Sequence, residues 1–160
     1  MSKVAKKRNS SLSKHRLRVW LKILKVSNLI EKDIRERLRE QHNTTLPRFD
    51  VMSALARSES GLKMSELSGV LKVSNGNVTG IVDRLVQDGL VVRVAVEGDR
   101  RANRVCLTRT GEAQFDIYAA EHEAWVDDLL GDLSAKDAQV LTELLELVTD
   151  RVNLQGSRDD

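Results

Sequence analysis

Residues 64–108 read MSELSGVLKVSNGNVTGIVDRLVQDGLVVRVAVEGDRRANRVCLT, and this stretch decides the fold. Leu67, Val70 and Leu71 recur at helical spacing, which predicts a helix from about Met64 to Leu71. Its cap position falls on Lys63, where Ser, Thr, Asp or Asn would serve better. Lys72-Val73 make a short turn, and Ser74 is a good cap for a second helix over Asn75 to Asp88, ended by Gly89. On that helix Val78, Ile81, Val82 and Leu85 share one face, while Asn75, Gly76, Asn77, Thr79, Gly80, Asp83 and Arg84 occupy the other. Leu90 to Val96 is Val-rich and predicts a strand. Glu97 to Asn103 reads as a charged loop, and Arg104 to Thr108 as the returning strand of a hairpin.

Two short helices, a tight turn and a hairpin with a charged tip form a winged helix-turn-helix pattern. A helix that enters a major groove about 12 Å wide needs one apolar side to hold its angle and a small, hydrogen-bonding side to reach base edges. Ser74, Asn75, Asn77, Thr79 and Arg84 bring donors and acceptors, and Gly76 brings the backbone close. Gly76 and Gly80 inside a helix cost about 1 kcal/mol each relative to alanine. Close approach of a partner explains that cost, and so does tight helix–helix packing. The hairpin tip carries Asp99, Arg100, Arg101 and Arg104, a cationic set able to reach phosphates or a narrow minor groove. A solvated turn with a local Asp99–Arg101 pair is the plainer alternative.

Working outward, Leu17, Trp20, Ile23, Leu24, Ile30, Ile34 and Leu38 predict a long amphipathic helix from Ser13 to Arg39. Thr45 can cap a helix with Pro47 in its first turn and Phe49, Val51, Met52 and Leu55 facing inward, broken at Ser58 to Gly61. On the other side Thr108 can cap a helix from Arg109 to about Leu130, ended by Gly131. Leu133 to Asp137 resembles a capping box before a last helix that runs to about Val152. The expected fold class is mainly α with a small β-hairpin wing, a winged helix-turn-helix between long terminal helices. The expected divisions are a disordered basic arm over 1–12, an N-terminal helix over 13–44, a winged helix-turn-helix DNA-binding domain over 45–108, C-terminal helices over 109–153, the terminal helices being assigned to dimerisation by the resemblance given below, and a loose tail over 154–160.

Composition agrees with this reading. The 160 residues include one proline, one cysteine and 3% aromatics, a profile that favours helices over a sandwich or barrel. The net charge of +2 hides a polarity. Residues 1–48 carry 14 Lys/Arg against 4 Asp/Glu, whereas residues 110–160 carry 3 against 13. The basic half can meet a polyanion, the two ends can lie against each other, or the charges can simply be solvated helix faces. A single thiol and no apolar leader point to a reducing, cytoplasmic compartment, and no stretch approaches the roughly 18 apolar residues of a membrane span. His15, His42 and His122 are far apart and lack metal-ligand spacing, and no phosphate-cradling glycine loop or nucleophile elbow occurs. Neither an enzyme, a metal nor a cofactor is expected. Cys106, on the return strand of the hairpin, reads as structural.

The segments Leu46-Pro47-Arg48-Phe49-Asp50-Val51, Met64-Ser65-Glu66-Leu67-Ser68, Val73 to Thr79, Val82-Asp83-Arg84-Leu85, Asp88 to Val91, and Asp99-Arg100-Arg101 with Leu107-Thr108 and Gly111 together resemble the MarR (multiple antibiotic resistance) regulators. The match covers about residues 13–152, and the order and spacing of the motifs carry it. The resemblance implies an obligate homodimer with intertwined terminal helices that binds double-stranded DNA at a palindromic operator. It implies repression relieved by a small-molecule effector, with Arg101 at the wing tip in the minor groove and Asp99 steadying it. Lys63 departs from a family pattern that often has a capping threonine there. The family's ligand crevice maps to Trp20, Ile23, Phe49, Met52, His122 and Trp125, with Arg16 and Arg48 (and His15 and Arg18) for an anionic group; core packing for the first six and a solvated surface for the charged residues are the plainer alternatives. The stretch around the second short helix and Pro47-Arg48-Phe49 resembles family members that sense aromatic acids or their coenzyme A thioesters, and the basic first helix would suit a polyphosphate tail. A ligand-independent architectural DNA-binding protein is the alternative.

Overall fold

A computed structural model describes residues 3–71, 75–96 and 99–156. The chain divides into two compact units, residues 1–123 and 124–160, each described by itself.

The first unit opens with α1 (Lys3–His42), which begins ahead of the start expected at Ser13 and runs through most of the stretch read as a basic arm. Neither glycine nor proline interrupts it. Asn43, at φ 49°, ends it in the left-handed region that asparagine tolerates. Thr45 stands at the N-cap of α2 (Leu46–Ala56), but its side chain makes no cap bond. Its carbonyl instead accepts from the N–H groups of Arg48 and Phe49, and Pro47 in the first turn needs no partner.

Behind α2 the chain turns at Ser58–Gly61, where Ser58 Oγ donates to the Gly61 carbonyl at 2.9 Å. It then forms a two-residue strand, β1 (Leu62–Lys63), absent from the sequence reading because two residues carry no alternation. α3 (Met64–Leu71) follows. Lys63 caps it poorly, as expected, yet its backbone N–H donates to Glu66 Oε2 at 2.8 Å, the reverse half of a capping box.

α4 (Asn75–Gln87) ends in a Schellman motif. Gly89 sits at φ 72°, its N–H bonds the Val86 carbonyl, and the Leu90 N–H reaches back to Leu85. The strands β2 (Val91–Val96) and β3 (Asp99–Leu107) complete a three-stranded antiparallel sheet in the order β1-β3-β2. β3 begins at Asp99, not at Arg104, so most of the stretch expected as a charged loop is strand, with a register irregularity between Ala95 and Val96. Residues 97 and 98 lie outside the described residues. Leu38, Val51, Met52, Leu67, Val78, Val82, Leu85 and Val105 are wholly buried. Each such side chain contributes roughly 1.5–3 kcal/mol, and together they fix α2, α3 and α4 around one core.

Thr108 caps α5 (Arg109–Leu129) as the sequence suggests, accepting from the Gly111 N–H at 3.0 Å. The second unit holds the end of α5 and α6 (Ala135–Gly156). Ser134 Oγ accepts from the Asp137 N–H at 3.2 Å, and its hydroxyl donates to the Asp137 carboxylate. Among the described residues no helix is long and apolar enough to cross a membrane.

Candidate nucleic-acid interface

α4 has two sides of opposite chemistry. Val78, Val82 and Leu85 are fully buried, whereas Gly76, Asn77, Thr79, Gly80 and Arg84 are exposed. A methyl group built on Gly76 or Gly80 meets nothing within 4 Å. Among the described residues, helix packing within the chain therefore does not account for these two glycines. Asn75 is the first residue of α4, but its side chain, Ser74, and the side chains of Asp99, Arg100 and Arg101 lie outside the described residues.

Two ion pairs hold α4 in place. Arg93 of β2 meets Asp83 at 2.6 Å and links the helix to the hairpin. Arg48 of α2 meets Asp88, just past the end of α4, at 2.5 Å. Arg104 is not at the hairpin tip. It pairs in register with Lys63 and Val94, and its Nη1 donates to the Gly61 carbonyl at 2.7 Å and to Ser60 Oγ at 3.2 Å. This guanidinium welds the sheet to the Ser58–Gly61 turn, where a methyl on Gly61 would collide with Cys106 Sγ. Cys106 is half-buried in that packing.

The residues read as ligand contacts have different surroundings. Phe49 and His122 do meet, stacked at 4.9 Å, with Phe115 at 5.7 Å, but Phe49 is core and Met52 is wholly buried. Arg48 is committed to Asp88. Arg16 and Trp20 lie on the exposed side of α1, Ile23 is half-buried, and Trp125 is buried in the second unit.

A cavity of about 570 Å³ opens elsewhere, among α1, α2, α3 and α4, lined by Arg35, Thr45, Pro47, Asp50, Leu71, Asn77 and Ile81. A smaller one of about 220 Å³ shares Arg35, Thr45 and Pro47 and adds Glu36 and Arg39. Periodicity could not find these residues, because separate elements bring them together. Removal from water raises the Asp50 carboxyl above its ordinary range, and Glu31 pushes the same way, against Arg35 and His122. Burial likewise raises the Tyr118 phenol, which hydrogen-bonds Thr44 and lies within electrostatic reach of Arg48 and Asp88. Among the described residues no group of three or more His, Cys, Asp or Glu could hold a metal.

An exposed small polar helix face braced against an antiparallel hairpin defines a winged helix-turn-helix DNA-binding protein. Comparisons with known proteins narrow the class. The MarR family model matches residues 42–102. The crystal structure of a MarR family transcriptional regulator from Silicibacter pomeroyi is 33% identical, with a TM-score of 0.73 over 88% of this chain and 96% of that one. The transcriptional activatory protein BadR of Rhodopseudomonas palustris is 30% identical over 123 residues, 75% of this chain and 70% of the relative. The homoprotocatechuate degradative operon repressor of Escherichia coli is 29% identical over 107 residues, 67% of this chain and 72% of the relative. The chain belongs to the MarR family of DNA-binding transcriptional regulators.

Proposed function

We propose that the chain works as a homodimer on a palindromic operator, as a repressor released by a small aromatic acid or its coenzyme A thioester. The observation that carries the DNA reading is the open face of α4, where Gly76 and Gly80 have empty space above them, beside Asn77 and Thr79. In this reading Asn75, Asn77 and Thr79 meet base edges, Ser74, Arg84 and Arg100 meet the backbone, and Arg101, steadied by Asp99, reaches the minor groove. Two such helices related by a dyad enter successive major grooves about 10–10.5 bp apart.

Uncovered apolar surface supports the dimer. On α1, Leu17, Trp20, Leu24 and Val26 are exposed, and on α6, Val140, Leu141, Leu144, Leu145, Leu147, Val148 and Val152 are exposed. The α6 positions span about half the circumference of the helix, wider than the roughly 100° stripe that faces a single core. The basic α1 and the acidic residues 112–150 add complementary charge across the assembly. The N-terminal helix over 13–44, the lobe over 45–108 and the helices over 109–153 are the working parts in this scheme.

The effector reading rests on the cavity beside α4. Asn77 belongs both to its lining and to the exposed face of α4, so a bound molecule bears directly on the helix that reads DNA. Arg35 and Arg39 offer cations to an anionic group, although Arg35 already bonds Glu31 and must exchange that partner. A relative that represses a homoprotocatechuate degradative operon supports an aromatic acid. Release requires that the ligand bind the DNA-incompetent arrangement better.

Footprinting the purified chain on its neighbouring promoter DNA, with light scattering for mass, tests the proposal. One protected palindrome and a dimer are expected. Broad coating of DNA indicates an architectural protein, and a lone monomer overturns the scheme. Release of DNA by micromolar aromatic acids or p-coumaroyl-CoA supports the effector reading, and indifference to all of them removes it.

A further inference from the structure

Arg48 is a half-buried charge of the first unit whose energetics do not account for it as a stabiliser. Its side chain is 19% exposed and bonds Asp88 through Nη2, while its Nε is buried and has no hydrogen-bond partner among the described residues. An ion pair with an unsatisfied buried N–H is a poor source of stability, and an apolar pair of similar volume does as well or better. What the pair does accomplish is geometric. Asp88 follows the last turn of α4 and lies beside the Gly89 turn that leads into β2, so it marks where the helix stops. A carboxylate at a helix C-terminus opposes the helix dipole, and the guanidinium cancels that charge. With the Asp83–Arg93 pair toward the hairpin, α4 is gripped on two sides, by α2 and by β2.

We infer that Arg48 is a positioning residue for DNA binding: by holding Asp88 from the first turn of α2, it fixes the angle at which α4 presents Asn77 and Thr79. This rests on α4 being the base-reading helix. Arg48 touches no DNA in this scheme.

The test compares R48M, D88N, D88E and the R48M/D88N double variant with the unaltered chain, on a duplex carrying the footprinted site over a range of salt. R48M and D88N should each weaken binding about tenfold, D88E should stay within about threefold, and the double variant should be no weaker than the poorer single one. The slope of log affinity against log salt should not change, because the same phosphates are neutralised in every variant. Unchanged affinity in both single variants, additive losses, or a shallower salt slope overturns the inference, the last by making Arg48 a phosphate ligand. Asp88 is half exposed, so D88N folds and decides the matter even if R48M does not. In the DNA-free protein, D88N should also speed amide exchange over residues 84–90. A chain that binds no duplex overturns the DNA reading, and that exchange measurement still judges the strut.

Discussion

Gly111 lies against the carbonyl of Leu90 so closely that a methyl group added to it would overlap the oxygen. The two are held there by Thr108, whose hydroxyl donates to the Gly89 carbonyl at 2.7 Å and accepts from the Gly111 N–H. The cap of α5 is thus built onto the end of α4. Gly111→Ala must push backbone against backbone and should cost about 1–3 kcal/mol or more. For a chain of this length that lowers Tm by about 2–4 °C per kcal/mol. An unchanged melting curve would show that the junction can relax.

Gly76 and Gly80 predict the opposite sign. With open space above them, Gly76→Ala and Gly80→Ala should each stabilise the fold by about 1 kcal/mol through helix propensity. The same methyl groups intrude where DNA approaches, so operator affinity should fall while Tm rises. Stabilised variants that bind DNA as before would remove close approach as the reason for these residues.

Asn77 and Arg101 should fail in different ways. Asn77→Ala should cost about 1–3 kcal/mol and blur base preference, as read by binding to a panel of mutated sites. Arg101→Ala should weaken binding and reduce the salt slope, because one cationic contact per subunit is lost. Identical behaviour of the two variants would contradict the division of labour proposed for α4 and the wing.

Asp50 gives the fold a pH signature. Its carboxyl pKa is raised in the folded state, chiefly by removal from water, so the native protein holds this proton to higher pH than the unfolded chain does. Its favourable contribution is full below the ordinary value of 3.8 and is lost as pH rises through the raised one. Asp50→Asn should therefore raise Tm at pH 7.5, with the gain fading toward pH 4. A constant difference between the two melts across that range would refute the shift.

The apolar arc of α6 sets the assembly prediction. Leu144→Glu with Leu147→Glu places charges on side chains that are exposed within one chain. In a chain that works alone these changes are harmless. In a dimer they should convert the species seen by light scattering to a monomer and abolish operator binding. Raising salt to 1 M should weaken the dimer only modestly, since surface pairs contribute little each.

The parts of this fold written in local chemistry were legible in the sequence. The two faces of α4, the Gly89 ending, and the Thr108 and Ser134 caps each depend on residues within one turn of each other. Glu66, three residues beyond Lys63, was a readable signal that the weak cap had support from behind. β1 was not legible, because its two residues become a strand only when β3 lies beside them. Arg104 looked like part of the tip for a related reason: once β3 extends to Asp99, Arg104 sits in mid-sheet. The cavity was illegible too, since Arg35, Asp50 and Asn77 converge from three helices. Phe49 and His122, both mapped to the ligand crevice by the resemblance, stack on each other, with Phe49 in the core and His122 half-buried.

The Arg104 weld has a thermodynamic corollary. A protruding arm usually surrenders its freedom at the moment of docking, and that loss is subtracted from affinity. Here the root of the arm is already immobilised during folding, by three acceptors at Ser60 and Gly61 and by a third strand. The entropy has been given up long before any duplex arrives, and the favourable energy of contact is correspondingly less diluted.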